Sequence, residues 1–382
     1  MLLVEPDYYT RYPPLGLLKL ASYHRGMGDE VKLIRGQQND WTPEVVYVTS
    51  LFSYSWRPVH AAVRFYRKTF PAARVTLGGV YASLLPDHAR LSGAQEVHVG
   101  LHHPAEACIP AWDLIREEWD GSIIFASRGC IRKCGFCSVP KLEGPPTDLK
   151  VGIKRQVMDY HSRVILWDNN ILGNSNWKPI FEQLIEIGKT VDFNQGLDAR
   201  LITPEIAEYI ARIRTKNIRL AYDYPGIREG VRKGIAALES AGVSKKKITV
   251  YTLFNYIDTP EQFFHKVKDL LSWGVASYPM RFEPLTSLTK NAYVSPRWTR
   301  DQIDEVARAR RVLGYAGAFP AYKGLVAKFE EARNFEEAFR LREPGTRRSN
   351  GTTGHLSGKR ARFGGILDWR NSSKDSSRSA VA

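Results

Sequence analysis

The sequence predicts an α/β fold: a small doubly wound (Rossmann- or flavodoxin-like) domain, a partial (β/α)6 barrel of the TIM type, a helical segment and a basic tail. Short apolar strands alternate with helical patterns in the N-terminal third, and six further strand-then-helix units follow. Such alternation favours parallel sheets. We therefore expect the doubly wound domain at 1–115, the barrel at 116–290, the helical extension at 291–341 and a flexible tail at 342–382.

The N-terminal domain is predicted from four strands and two helices. Pro13-Pro14 opens the first helix, and Pro71 stops the second. The predicted strands are Leu2–Val4, Val31–Ile34, Val45–Ser50 and Arg74–Leu77, and the helices are Leu15–Arg25 and Val59–Thr69.

The barrel is predicted from six short apolar strands with helices between them. Thr203 and Thr259 are placed to cap two of these helices, each directly before a proline. The predicted strands are Gly121–Ala126, Val164–Trp167, Val191–Asn194, Ile218–Ala221, Ile248–Leu253 and Ala276–Arg281, with helices at Trp177–Ile187, Pro204–Ile213, Ile227–Ala241 and Pro260–Trp273.

The 299–341 segment is predicted to be helical and rich in aromatic residues. Aromatic residues at helical spacing favour a packed core, although a basic, aromatic surface that stacks bases stays an alternative.

Composition and charge limit the function classes. The chain has 382 residues, 43% of them hydrophobic, and a formal net charge of +15. No apolar run approaches the roughly 18 residues that span a bilayer, and Glu5, Pro6 and Asp7 rule out a signal-peptide core at the start. Only four cysteines occur, which favours a reducing cytoplasm. We expect a cytoplasmic protein without a membrane partner.

The positive charge is concentrated near the end of the chain. From Arg340 to Ala382 there are ten Lys or Arg residues and three acidic residues, a net charge of +7. This composition is typical of a mobile tail, with one docked piece at Phe363–Trp369. The tail is interpreted either as an arm that follows nucleic-acid phosphates or as a solvated terminus.

Three cysteines fall within eight positions: Cys130, Cys134 and Cys137, spaced Cys-x3-Cys-x2-Cys. A [4Fe–4S] cluster normally takes four protein thiolates, so three would leave one iron open to a small molecule. Structural zinc is an alternative that needs a fourth ligand, such as Cys108, His102, His103 or His161. A disulfide is disfavoured by the crowding and the odd number of cysteines, and Cys108 is interpreted as a plain buried thiol.

This loop resembles the signature of radical S-adenosylmethionine (SAM) enzymes, with Phe136 at the aromatic position of Cys-x3-Cys-x-aromatic-Cys. The resemblance implies a [4Fe–4S] cluster on the three cysteines, SAM bound at the open iron, and a reductant such as flavodoxin or ferredoxin. Reductive cleavage of SAM would then give a 5′-deoxyadenosyl radical that abstracts hydrogen from the substrate. The loop also follows the first barrel strand, at the end where barrels carry their chemistry.

Polar residues after the later barrel strands become candidates for SAM binding through the same resemblance, as does Phe136. Asp168 and Asn169 correspond to a segment that binds the SAM amino group, and Arg200 to an arginine that pairs with its carboxylate. Asp223 stands where many relatives place a glutamate for ribose, and Asn255 where relatives have a glycine-rich turn near adenine. Each of these could instead serve as a turn or a cap.

The N-terminal domain resembles the cobalamin-binding domain that precedes the barrel in a large subgroup of radical SAM enzymes. The segments Tyr12–Leu17 and Leu77–Ala82 carry this resemblance. An Asp-x-His-x-x-Gly ligand motif is absent, but some relatives bind cobalamin without a histidine ligand. Gly78-Gly79 would let the backbone approach such a ligand, and the alternative is a domain kept as a scaffold or for substrate docking.

The sequence therefore predicts a radical SAM enzyme, and the basic charge suggests modification of a nucleic acid or nucleotide. Two alternatives stay open. The chain could be a radical SAM methyltransferase or tailoring enzyme that acts on a peptide or small metabolite, or a zinc-containing nucleic-acid-binding protein. The sequence does not indicate an oligomeric state.

Overall fold

A computed structural model describes residues 1–149 and 151–341. The predicted tail at 342–382, including its docked piece at Phe363–Trp369, lies outside these residues.

The N-terminal domain contains a five-stranded parallel sheet with strand order β2-β1-β3-β4-β5. This is the doubly wound order that the sequence predicts. Its core is formed by buried residues of the strands and the second helix. The elements are Leu2–Glu5 (β1), Leu15–Gly26 (α1), Lys32–Arg35 (β2), Val45–Val48 (β3), Trp56–Thr69 (α2), Arg74–Leu77 (β4), Val80–Leu84 (α3), Pro86–Arg90 (α4), Glu96–Val97 (β5) and His103–Glu106 (α5).

The barrel has the six predicted strands, and the alternation of strands with helices is confirmed. Sequence prediction placed the ends of these elements within two residues. The strands are Ser122–Ile124 (β6), Arg163–Leu166 (β9), Thr190–Phe193 (β10), Ile218–Ala221 (β11), Ile248–Phe254 (β12) and Ala276–Arg281 (β13), and two short strands, Ser127–Arg128 (β7) and Thr147–Asp148 (β8), pair antiparallel beside β6.

The six barrel strands form two three-stranded parallel ladders, one of β6, β9 and β10 and the other of β11, β12 and β13. Between them lies a seam closed by one bridge, from Leu197 to Leu220, and by the Asp192–Arg219 ion pair. The predicted barrel is therefore present, but its backbone ladder is interrupted at the middle.

Helices cover the outer face of both ladders and share one hydrophobic core with the strands. Thr203 and Thr259 cap two helices as predicted, since each side chain accepts a backbone N–H. The helices of the barrel are Val139–Leu142 (α6), Ile153–Gln156 (α7), Trp177–Ile187 (α8), Pro204–Arg212 (α9), Arg228–Ser240 (α10) and Pro260–Ser272 (α11).

The C-terminal extension is helical, and its aromatic residues form a core with α11. Phe319, Phe329, Phe335 and Phe339 are buried there, whereas Tyr315 and Tyr322 are exposed. The prediction that these aromatics are mainly core is confirmed for the phenylalanines. The helices are Arg300–Val312 (α12), Lys323–Glu331 (α13) and Phe335–Phe339 (α14).

Among the described residues, the longest apolar helices fall short of the length and hydropathy required to cross a bilayer.

Candidate iron–sulfur and SAM site

The three cysteines lie on one loop at the C-terminal end of β6, between β7 and α6. Each of Cys130, Cys134 and Cys137 is half-buried and free of disulfide bonds. The backbone N–H of Cys137 donates to the carbonyl of Cys134 at 3.1 Å, which makes a tight turn between them. Backbone and sulfur are thus arranged on a compact loop with one side open.

The two ends of the cysteine loop are fastened to each other. The N–H of Cys130 donates to the Gly144 carbonyl at 3.2 Å, and the N–H of Gly129 donates to Glu143 Oε2 at 2.9 Å. Gly129 has φ +79°, and a Cβ there would lie 2.2 Å from the Pro145 carbonyl oxygen. Only glycine fits at position 129, where the two ends of the cysteine loop pass this close to each other.

Asp168 connects β9 to the start of the loop. Its carboxylate is 3% exposed and accepts the backbone N–H groups of Ala126 at 2.9 Å and Ser127 at 2.6 Å. The Ser127 hydroxyl donates to the same carboxylate at 2.7 Å. Burial raises the pKa of Asp168 to about 6 despite these hydrogen bonds. The carboxylate that the sequence assigned to SAM therefore holds the loop backbone, and its contact with SAM stays a prediction.

Arg200 and Asp198 contact the loop from the end of β10. Arg200 donates through Nε and Nη2 to both oxygens of Asp198, at 2.7 and 2.8 Å. Arg132, within the cysteine loop, donates to Asp198 Oδ2 at 3.0 Å. Burial opposes ionisation of Asp198, but the two guanidiniums keep its pKa below the usual range. Much of the Arg200 fork is thus engaged, and its pairing with the SAM carboxylate stays a prediction.

Phe136 packs against the turn that follows β12. Its ring lies 5.7 Å from the Tyr256 ring, edge to face. A Cβ on Gly135 would lie 2.7 Å from the Tyr256 hydroxyl oxygen, so a side chain there would displace that hydroxyl. Contact between Phe136 and a cofactor stays a prediction.

Asp223 lies just after the end of β11, near enough to the cysteine loop for its charge to act on Cys134. Burial raises the pKa of Asp223 to about 6, against the opposing charges of Lys266 and Arg200. Lys266 is itself buried and donates to the backbone carbonyl of Asp223 at 3.0 Å, while Asp258 lies 3.1 Å from its ammonium. The buried Lys266 thus holds the backbone of Asp223 in place.

Asn169 and Asn255 are engaged within the protein. Asn169 Nδ2 donates to Glu143 Oε2 at 2.8 Å, so it also supports the cysteine loop. Asn255 is fully buried with φ 64°; it accepts the Ser295 N–H at 2.9 Å and donates to the carbonyls of Phe282 and Tyr293. Binding of SAM by either asparagine stays a prediction.

The surroundings of the thiols suit a metal cluster. Burial, followed by the charges of Asp223 and Cys137, raises the pKa of the Cys134 thiol, and Arg200 opposes this. Burial also raises the pKa of the Cys137 thiol. Thiolate ligands in such a place depend on the positive charge of the metal. The Cys130 sulfur accepts the N–H of Arg132 at 3.3 Å, a type of contact that tunes clusters.

Within the described residues, no group of three or more His, Cys, Asp or Glu side chains is arranged to hold one metal ion. In a cluster each thiolate binds a different iron, so the three sulfurs need not converge on one point. Cys108 lies outside the loop and is half-buried rather than buried as expected; its thiol points to the Pro104 carbonyl.

The N-terminal domain reaches the base of the cysteine loop through a charged chain that we call the Glu106 bridge: Lys19, Glu106, Arg128 and Glu143. Glu106 Oε2 lies 3.0 Å from Lys19 Nζ and 3.2 Å from Arg128 Nε. Arg128 Nη1 lies 3.7 Å from Glu143 Oε1, and these four side chains are at most 15% exposed. The bridge places two cations and two carboxylates in a largely buried region. Removing one of these charged groups there leaves the opposite charge of its partner less compensated.

A second contact joins the N-terminal domain to the barrel interior. The Tyr12 hydroxyl donates to Asn194 Oδ1 at 2.5 Å, and its ring meets Trp119 and Trp167 edge to face. The segment Tyr12–Leu17, one of the two that resemble a cobalamin-binding domain, thus contacts the barrel through Tyr12.

Gly79, in the second segment, has φ +96°, and a Cβ there would lie 2.2 Å from the Ser50 carbonyl oxygen. Ser50 Oγ in turn donates to the Gly78 carbonyl. Gly79 is therefore required by packing within the domain itself, whereas a Cβ on Gly78 would make only an ordinary contact, 3.7 Å from His98 Cβ.

Sequence reasoning missed the supporting residues of the site. Glu106 and Asp198 acquire partners far away in sequence, and Lys266 lies in an ordinary helical pattern. The position of Glu143 could have been a clue. It lies at the end of the segment that follows Cys137, where a contact with the start of the cysteine loop could be expected.

No protein-family profile and no curated protein sequence matches the chain. Among solved structures, it is similar to apo, SeMet-labelled OxsB, a cobalamin-dependent S-adenosylmethionine radical enzyme, at 14% identity and a TM-score of 0.49. It is also similar to coproporphyrinogen III oxidase (HemN) from Escherichia coli, a radical SAM enzyme, at 13% identity and a TM-score of 0.35.

These similarities cover 72% of this chain and 51% of the OxsB chain, and 57% of this chain and 60% of the HemN chain. The chain thus spans little more than half the length of either structure. Both are described as radical SAM enzymes, the superfamily that the cysteine loop resembles. At this level of identity, the assignment of an activity rests on the residues of the chain itself.

Proposed function

We propose that this chain is a radical SAM enzyme in which Cys130, Cys134 and Cys137 hold a [4Fe–4S] cluster. The observation that carries the proposal is the closed three-cysteine loop at the C-terminal end of the first barrel strand. Such a cluster, when bound, supplies one electron that cleaves the sulfur–carbon bond of SAM to methionine and a 5′-deoxyadenosyl radical, which takes hydrogen from the substrate.

The residues of the chain keep the loop in place and shape its open side. Asp168 and Glu143 fix the start of the loop, and Arg132 ties its middle to Asp198. Asp223 approaches Cys134 closely enough for its charge to raise the pKa of the thiol. Together with Arg200, it offers one acidic and one basic group beside the cluster position. An amino acid such as the methionine part of SAM presents the complementary pair of charges.

For the N-terminal domain we infer a scaffold role. Tyr12 meets the barrel interior, and Glu106 meets the base of the cysteine loop. Internal packing explains Gly79, the residue of the second segment with positive φ. Reconstitution with hydroxocobalamin tests this inference: a corrin absorption that stays with the chain through gel filtration would contradict it.

The substrate that the charge favours is a nucleic acid or nucleotide, with a peptide or small metabolite as the alternative. The net charge of +15 supports this part of the proposal, because cations bind phosphates without regard to sequence. The proposed setting is the cytoplasm, with flavodoxin or ferredoxin as the electron donor. Retention of binding to RNA and DNA after removal of residues 342–382, with an unchanged salt dependence, would contradict a role for the tail.

The experiment that tests the activity is anaerobic reconstitution followed by incubation with SAM and dithionite. The wild-type chain should hold about four irons and four sulfides and release 5′-deoxyadenosine. Cys137→Ala should lose the cluster and the product, whereas Cys108→Ala, the matched control outside the loop, should keep both. One zinc per chain without sulfide would instead support the zinc-binding alternative.

A further inference from the structure

A cavity of about 500 Å³ lies behind the last barrel strand, between β13, α12 and the turn at 314–317. Its floor includes the apolar side chains of Phe254, Ile303 and Val306. Cavities of this size commonly hold small molecules. The cavity lies on the face of β13 that packs against α12, and it shares no residue with the proposed cluster site.

Three guanidinium groups line this cavity, from Arg281, Arg310 and Arg311, against the single carboxylate of Asp304. Arg281 donates to the carbonyls of Asn291 and Tyr293 at 2.9 and 2.8 Å. These acceptors are neutral, so they do not compensate the charge.

Arg310 likewise meets neutral groups. It donates to the Pro279 carbonyl at 3.3 Å and lies 4.3 Å over the Tyr278 ring. In the described part of the chain, none of the three cavity arginines forms an ion pair with a carboxylate within 4.0 Å. The cavity therefore carries an excess of positive charge.

Arg300 adds a further cation at the edge, where it donates to the carbonyls of Asn291 and Ala292. Burial lowers the pKa of Arg281; the carboxylate of Glu283 opposes this shift, the charge of Arg300 adds to it, and Asp304 opposes it. Like charges held this close raise the free energy of the folded chain, and a bound anion would lower it.

The backbone around the cavity is also unusual. Asn291 and Ala316 have φ of 61° and 50°, and they are two of the three non-glycine residues with positive φ in the described chain. Such conformations concentrate at ligand sites. Gly317 leaves room for Arg310, since a Cβ there would lie 2.5 Å from Arg310 Nη2. The turn is thus shaped around a guanidinium that faces the cavity.

We propose that this cavity binds a small molecule that carries a phosphate or diphosphate group, held by Arg281, Arg310 and Arg311. Guanidinium forks match the geometry of phosphate oxygens. The cavity is open to solvent on one side, since Asn291, Asp304 and Arg311 are exposed, so a small anion can enter it directly. This site is separate from the proposed radical chemistry and does not depend on it.

The test is titration calorimetry of the full chain with pyrophosphate at about 0.1 M salt, where exposed charges are largely screened beyond ~10 Å. Arg311→Gln should weaken binding by about tenfold or more, because one charge-assisted hydrogen bond contributes roughly 1.5–3 kcal/mol. Arg308→Gln is the matched control, since it removes the same charge from an exposed position of the same helix outside the cavity. It should leave the Kd unchanged.

A second measurement uses the wild-type chain alone, so it does not depend on the folding of any variant. Pyrophosphate should protect Arg311 from phenylglyoxal, read by mass spectrometry, and should leave Arg308 reactive. The proposal is overturned if pyrophosphate does not bind, if both variants weaken binding equally, or if only an oligonucleotide binds. A failure of the cluster experiment would leave this result unaffected.

Discussion

Replacing Asp168 with asparagine should change stability in a way that depends on pH. Asparagine keeps one acceptor oxygen but sets an NH2 group against one backbone N–H, that of Ala126 or Ser127. A buried N–H left without an acceptor costs roughly 1–3 kcal/mol. In return, the variant no longer has to ionise a buried carboxyl group.

The size of that second effect follows from the pKa of about 6 in the fold, raised from 3.8. Because the folded value is the higher one, the native chain binds more protons than the unfolded chain between these values, and ionisation removes stability as pH rises. At 1.36 kcal/mol per unit, the cost of ionisation is about 3 kcal/mol at pH 7.5 and about 1.6 kcal/mol at pH 5. Asp168→Asn should therefore be about 1.4 kcal/mol less favourable for stability at pH 5 than at pH 7.5, where the gain of about 3 kcal/mol equals or exceeds the hydrogen-bond loss of roughly 1–3 kcal/mol.

The assay is urea unfolding of the cluster-free chain at both pH values, followed by tryptophan fluorescence. Asp120→Asn is the control, since Asp120 accepts the N–H of Ser162 at the opposite end of the same strands and is exposed. The small desolvation of this carboxyl group raises its pKa, but the hydrogen bonds from Ser162 outweigh that effect and keep the pKa of Asp120 below the usual range, so its penalty should hardly change between pH 5 and 7.5. Equal penalties at both pH values for Asp168→Asn would refute the reasoning.

Two further predictions concern the ends of the cysteine loop. Gly129→Ala should destabilise the loop far more than Gly144→Ala. Both glycines have positive φ, but only a Cβ at Gly129 would meet backbone, at 2.2 Å. The measurement is the iron bound per chain after reconstitution, and equal iron contents in the two variants would contradict the prediction. Glu106→Gln should leave the buried Lys19 ammonium without its carboxylate partner and Arg128 with Glu143 alone, a loss of roughly 3–5 kcal/mol if nothing relaxes, and should speed amide exchange across the loop in the cluster-free chain. Asp113→Asn, which removes an exposed ion pair, should leave that exchange unchanged, and a Glu106→Gln chain that exchanges like the wild type would show that the bridge does not hold the loop.

The elements were predictable wherever local pattern decides them. Strand β11 and helix α8 have the predicted bounds, because an apolar run and an amphipathic run each ended at clear polar or glycine residues. Helix α2 begins at Trp56 rather than at the predicted Val59, since nothing local marks its first turn. The break between the two ladders was not predictable, because sheet closure depends on twist and on contacts between distant segments.

The residues of the candidate site were likewise predictable only where local sequence decides their position. The placement of three cysteines on one loop could be predicted from spacing alone, because they lie within eight consecutive positions; their role as ligands stays a prediction. The work of Asp168 is not visible in sequence: the same residue type at the same strand end suits a cofactor contact or a backbone acceptor equally well. The structure shows which donors Asp168 meets, because the backbone N–H of Ser127, at the start of the cysteine loop, lies 2.6 Å from its carboxylate.

The seam between the two ladders makes the middle of the barrel depend on side chains. The cysteine loop belongs to the first ladder and Asp223 to the second, while one backbone bridge at Leu197 joins the ladders among the described residues. The Asp192–Arg219 ion pair and the hydrophobic core that both ladders share carry the rest of the contact. The separation between the thiols and Asp223 is therefore set mainly by side-chain packing rather than by a continuous backbone ladder.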